Sequence, residues 1–113
     1  MRAQLETLDF APTFQMGHPI AFEFATALVD LAPAEFSHVF FANSGSEAVD
    51  TALKIALAYH AARGEGTRRI LVGRQKAYHG INFGGISVGG IGLNKGQFGT
   101  LYPDAQHMRH TGL

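Results

Sequence analysis

Asn43-Ser44-Gly45-Ser46-Glu47-Ala48 joins a short apolar run, Val39-Phe40-Phe41-Ala42, to a long helix-like run from Val49 to Arg63. A strand–turn–helix with a glycine and two hydroxyls in the turn is chemistry for an anion. The first turn of a helix leaves backbone N–H groups without partners and carries the positive end of the helix dipole. Together these hold a phosphate or a carboxylate. Ser44 and Glu47 also fit the S-x-x-E capping box, and capping alone would account for both. It does not account for Gly45, a poor helix former that lets the backbone approach an oxyanion, or for Ser46, which adds a hydroxyl donor. Glu47 would repel a phosphate unless its side chain turns back to the cap.

A second group, Lys76-Ala77-Tyr78-His79-Gly80, follows the apolar run Arg69 to Gly73. Ligands of open α/β sheets bind outside the carboxyl ends of the strands, so both turns fall on one edge. Tyr78 could lay its ring against a flat heteroaromatic ligand, and His79 could offer a hydrogen bond. Spacing alone serves equally well a core tyrosine with a satisfied hydroxyl and a surface histidine. His107 and His110 have i,i+3 spacing, but no cysteine or carboxylate cluster completes a metal site, and none is expected. No P-loop occurs, and Gly84-Gly85 through Gly92 does not match a dinucleotide fingerprint.

The elements that must position these groups follow from periodicity and caps. Pro19 suits the first turn of a helix running to about Leu31, apolar most of the way round and therefore expected to be covered by more protein. Val39 to Ala42 reads as a buried strand. The next helix buries a stripe of Val49, Ala52, Leu53, Ala56 and His60, pairs Asp50 with Lys54 on its other side, and ends at Gly64. Arg69 to Gly73 reads as a second strand, and strand–helix–strand with this crossover implies a parallel pair. Ile81 to Val88 fits a helix or a strand. Gly89 to Gly99 reads as a flexible loop, suited to close approach of backbone to a ligand or another subunit.

Composition narrows the partners. Nine basic and nine acidic residues cancel, which argues against nucleic acid. Charged residues make up 16%, few against a typical ~25%, so apolar surface is expected to meet a partner. No run approaches a membrane span, and Met1 to Asp9 lacks a signal-peptide core; a cytoplasmic protein without membrane contact is expected.

With these motifs assembled, the chain resembles part of a class III aminotransferase, within the fold-type I enzymes that use pyridoxal 5′-phosphate, and most of all the omega-amino-acid (β-alanine)–pyruvate aminotransferases. The resemblance rests on Gln15-Met16-Gly17-His18-Pro19, Phe40 to Ala48, Tyr78-His79-Gly80 and Asn82 to Gly92, and covers roughly Leu8 to Thr111. It implies an α/β fold, a partial three-layer sandwich from the N-terminal part of the large domain, occupying residues 1–113. The family's N-terminal segment, its lysine-bearing region and its C-terminal small domain are then expected to be absent. By resemblance, the turn Ser44-Gly45-Ser46 would hold the cofactor phosphate, Tyr78 would stack on the pyridine ring, and His79 would lie beside it with no assigned step. The family also needs a lysine and a carboxylate for the cofactor. Lys54, Lys76, Lys95 and Asp104 do not stand in those contexts, so no catalytic residue is assigned and no turnover is expected from this chain alone. The implied partners are a small-molecule amino donor and a keto acid, with a homo-oligomeric parent. Two alternatives stand beside this: a non-catalytic assembly fragment, and an α/β module for another phosphorylated ligand.

Overall fold

A computed structural model describes residues 1–99 and 101–112. In chain order the elements are α1 (Arg2–Thr7), α2 (Pro19–Leu31), α3 (Gly45–Ala62), β1 (Leu71–Arg74), α4 (Phe83–Val88), α5 (Gly92–Lys95) and β2 (Ala105–Met108). They fall into two units, residues 1–40 and 41–113.

In the first unit, α2 starts as its proline dictates. Pro19 stands at the first helical position, and the His18 ring nitrogen Nδ1 accepts the Ile20 N–H at 3.3 Å. The other ring nitrogen lies 3.0 Å from the Leu8 carbonyl. No residue of α2 is buried, and Phe22, Phe24 and Leu31 remain largely exposed.

In the second unit, α3 has the boundaries its sequence predicts. Ser44 Oγ accepts the Glu47 N–H at 3.2 Å, and Glu47 Oε2 accepts the Asn43 N–H at 2.9 Å, closing both halves of the capping box. At the other end Gly64 has φ +76°, its N–H donates to Ala61 O at 3.0 Å, and Glu65 N–H donates to His60 O at 2.8 Å. This is a Schellman ending, which a glycine allows at no steric cost. The covered face differs from the expected stripe: Val49, Leu53, Leu57 and His60 are half-buried, whereas Ala52 and Ala56 are exposed.

The same end of α3 carries a charge cluster. Glu65 Oε2 lies 2.8 Å from His60 Nδ1 and 3.2 Å from Arg68 Nη1. The His60 hydrogen bond, then that of Arg68, holds the Glu65 carboxyl below the usual glutamate range. A carboxyl whose value is lowered by folding contributes stability above its unfolded value and loses it as pH falls through the folded one. A carbon-13 titration of the Glu65 carboxyl should therefore give a midpoint below that of a model peptide, and His60→Ala should move it back upward. An unchanged midpoint in that variant would remove His60 as the main cause.

The sheet departs from the sequence reading. Among the described residues Val39 to Ala42 is assigned to no strand and joins no ladder, and Phe40 is 70% exposed. The parallel pair is instead β1 with β2, in register Leu71↔Ala105 to Arg74↔Met108. Gln75 N–H continues it to Met108 O at 3.0 Å. The crossover runs through α4 and α5, so the strand expected at Arg69 to Gly73 starts two residues later, ends one residue later, and has a different neighbour.

Ile81 to Val88 resolves as helix over Phe83–Val88, and its Ile86, Ser87 and Val88 are among the most buried side chains described. A Cβ on Gly73 would collide with the Val88 carbonyl oxygen, so glycine is what lets α4 lie against β1. The stretch Gly89 to Gly99 is also more ordered than its composition implies. Gly90 N–H donates to Ala77 O at 2.8 Å, Lys76 N–H donates to Gly90 O at 3.0 Å, and α5 follows. Gly89 and Gly90 serve close backbone packing, since a Cβ on Gly90 would collide with the Arg74 carbonyl oxygen and one on Gly89 would sit 3.0 Å from Gly85 O.

Candidate functional site

The N-terminus of α3 and the turn after β1 come together. Ser46 Oγ accepts the Ile81 N–H at 3.1 Å. Gly80, at φ +103°, is buried against Ser46, where a Cβ would sit 2.8 Å from both the Ser46 Cα and Oγ. Beside this contact opens a pocket of about 460 Å³ lined by Ser44, Gly45, Ser46, Val49, Tyr78, His79 and Gly80. All five residues singled out in the sequence line it.

Each contributes a different chemistry. Ser44 spends its hydroxyl oxygen on the Glu47 amide, so its part is to shape the helix start. The N–H groups of Gly45 and Ser46 open α3 and make no hydrogen bond among the described residues. A Cβ on Gly45 would meet no protein atom within 4 Å, so the space over this turn is open. Because Ser46 Oγ already accepts from Ile81, its own O–H remains to donate. Two free amides, a free hydroxyl proton and the positive end of an 18-residue helix make a strong cradle for an anion. Glu47 does not oppose it, since its carboxylate is folded back onto the Asn43 amide and side chain at 2.9 and 3.3 Å. Tyr78 is 61% exposed, which fits a ring available for stacking better than a core tyrosine. His79 is half-buried next to it.

The residues outside the pocket are equally definite. Lys54, Lys76 and Lys95 do not line it. Lys76 takes a left-handed backbone, φ +66°. Lys95 Nζ lies 3.2 Å from Ser87 O and 3.2 Å from His107 Nε2. His110 is occupied separately, its Nδ1 accepting the Gly112 N–H at 2.9 Å.

Asp50 is the residue whose position the sequence mistook. It does not pair with Lys54. Its carboxylate reaches α4, accepting Gly85 N–H at 2.7 Å and Gly84 N–H at 3.3 Å. The i,i+4 rule sees only one helix. The signal that could have found it is the pair of small residues at the start of α4, whose amides lie open to a carboxylate from a neighbouring element.

An α/β unit whose helix start has open amides suited to an anion, beside an exposed aromatic ring, has the geometry of a candidate cofactor-binding domain. The chain belongs to the aminotransferase class-III family, whose model matches residues 1–111. It is 55% identical over 111 residues to an omega-aminotransferase of Caulobacter vibrioides, covering 98% of this chain and 25% of that protein. It is 48% identical over 108 residues to the β-alanine–pyruvate aminotransferase of Pseudomonas aeruginosa, covering 96% of this chain and 24% of that one. Among solved structures, an amine transaminase from an uncultivated Pseudomonas species, in its PLP-bound form, superposes with a TM-score of 0.88 at 36% identity, over 96% of this chain and 25% of that one. The chain thus spans about a quarter of the length of these relatives. Its architecture is that of the N-terminal part of the fold-type I transaminases.

Proposed function

We propose that the start of α3 and the Tyr78-His79-Gly80 turn hold pyridoxal 5′-phosphate. On this reading the chain is the cofactor-binding part of the large domain of a transaminase that moves an amino group from an omega-amino acid or amine, such as β-alanine, to pyruvate. The Ser46–Ile81 hydrogen bond carries it, because it fixes a phosphate cradle beside a free aromatic ring in one pocket. The substrate class proposed is the one in the names of similar proteins, an omega-aminotransferase and a β-alanine–pyruvate aminotransferase. A cytoplasmic homo-oligomer is part of the same proposal.

When bound, the cofactor supplies an electron sink for the substrate carbon that loses a proton. The residues here bind and orient. Gly45 and Ser46 receive phosphate oxygens through their amides, and the Ser46 hydroxyl donates a further hydrogen bond. Ser44 and Glu47 keep that turn in shape. Tyr78 would stack on the pyridine ring, and His79 would lie beside it with no chemical step assigned. No lysine lines the pocket, so the chain by itself is expected to hold the cofactor without turning substrate over. Alanine formation from β-alanine and pyruvate by the purified protein would overturn that part.

Tyr78→Ala tests the ring's role. Loss of an aromatic pair should weaken pyridoxal phosphate, followed by absorbance titration, about three- to tenfold and leave inorganic phosphate unaffected. Nucleotides competing as well as pyridoxal phosphate would instead mark a general phosphate module.

A further inference from the structure

We propose that Asp50 is a positioning residue for this site: it fastens the start of α4 to α3 and so holds the Tyr78-His79-Gly80 turn against the phosphate cradle. The proposal rests on the reading of the pocket given above, and it adds a residue that does not line the pocket.

Ser46 and Asp50 stand four residues apart on α3, one above the other on the same face. Each reaches the same segment. Ser46 Oγ takes the Ile81 N–H, and the Asp50 carboxylate takes the Gly84 and Gly85 N–H groups with one oxygen each. Asn82, the residue preceding α4, makes no side-chain cap, so the carboxylate from α3 does the work a capping residue of α4 would do. The first turn of α4 in turn abuts the cofactor turn. A Cβ on Gly85 would overlap the His79 carbonyl oxygen, and one on Gly84 would sit 3.0 Å from Asp50 Oδ1. Carboxylate, α4 start, His79 backbone and Ser46 thus form a closed circuit. If Asp50 is lost, Gly84 and Gly85 lose their acceptor, α4 is free to shift from α3, and the segment that carries Ile81 is held at one point instead of two. The cradle itself, built from α3 amides, stays where it is.

The test is backbone-amide hydrogen exchange on the purified protein, with titrations of pyridoxal phosphate and of inorganic phosphate. Asp50→Ala should accelerate exchange at Gly84 and Gly85 by about tenfold or more, as loss of hydrogen bonds to a charged acceptor implies, and Ile81 should accelerate with them. Gly64 and Glu65, at the far end of α3, should not change. Pyridoxal phosphate should bind about tenfold more weakly, as its ring but not its phosphate depends on the turn, with phosphate affinity retained. Asp50→Asn keeps one acceptor oxygen and should restore Gly85 protection and most of the affinity. Accelerated Gly84 and Gly85 exchange with Ile81 and cofactor affinity unchanged would reduce Asp50 to a local cap and overturn the proposal. Should the alanine variant not fold, the asparagine variant decides by the same comparison of Gly84 with Ile81. If the unsubstituted protein does not bind pyridoxal phosphate, the function proposed above fails, while exchange at Ile81 still settles whether Asp50 holds the turn.

Discussion

Gly80→Ala is expected to disable the site through its backbone, by forcing the turn away from the start of α3. Gly80 has φ +103°, outside the region an alanine adopts without strain, and its Cβ would press on Ser46 Cα and Oγ at 2.8 Å. Neither atom can yield cheaply, because the Cα belongs to the first turn of α3. Relief requires the turn to move away from the helix, which breaks the Ser46–Ile81 bond and carries Tyr78 off the cradle. Backbone strain of this kind costs about 1–3 kcal/mol, and forced separation of packed backbone adds a comparable amount. The urea midpoint should fall, and pyridoxal phosphate should bind at least about tenfold more weakly, which is about 1.4 kcal/mol. A variant with the parent's midpoint and affinity would show that the close approach of Gly80 to Ser46 is not needed.

Ser46→Ala should divide stability from binding. The hydroxyl does two things at once: it accepts the Ile81 amide and keeps its own proton for an anion. The amide is exposed, so water replaces part of what is lost, and destabilisation should stay near 1 kcal/mol. A hydrogen bond to a charged phosphate is worth about 1.5–3 kcal/mol, so affinity should fall about ten- to a hundredfold. Ser46→Thr retains the hydroxyl and should recover most of it. Equal losses in the alanine and threonine variants would point to sterics instead of the missing donor.

Local rules made α2 and α3 legible. Pro19, the Ser44–Glu47 box and Gly64 are signals that one stretch of chain resolves by itself, and each sits where the sequence places it. Five of the seven residues lining the pocket stand out for the same reason, being turn residues at the ends of apolar runs. What failed needed a partner far along the chain. Val39 to Ala42 has strand composition, yet pairing is what makes a strand, and Ala105–Met108 takes the place beside β1. Asp50 satisfied a helix-surface rule while its carboxylate was engaged by another helix. Gly89 to Gly99 reads as a flexible loop suited to close backbone approach, because composition cannot tell a glycine that moves from one that lets two backbones touch.

The double fastening of α3 to the segment after Tyr78 also sets an order of events. Ser46 meets Ile81, and Asp50 meets Gly85, each across 35 residues. Closing a loop of that length costs on the order of 3 kcal/mol in chain entropy. Because the two contacts span the same loop in matching register, the first to form bears almost all of that cost and the second closes nearly for nothing. A growing chain therefore lacks the assembled pocket while only α3 has emerged from the ribosome. The site arrives in one step once Gly85 is free to fold back.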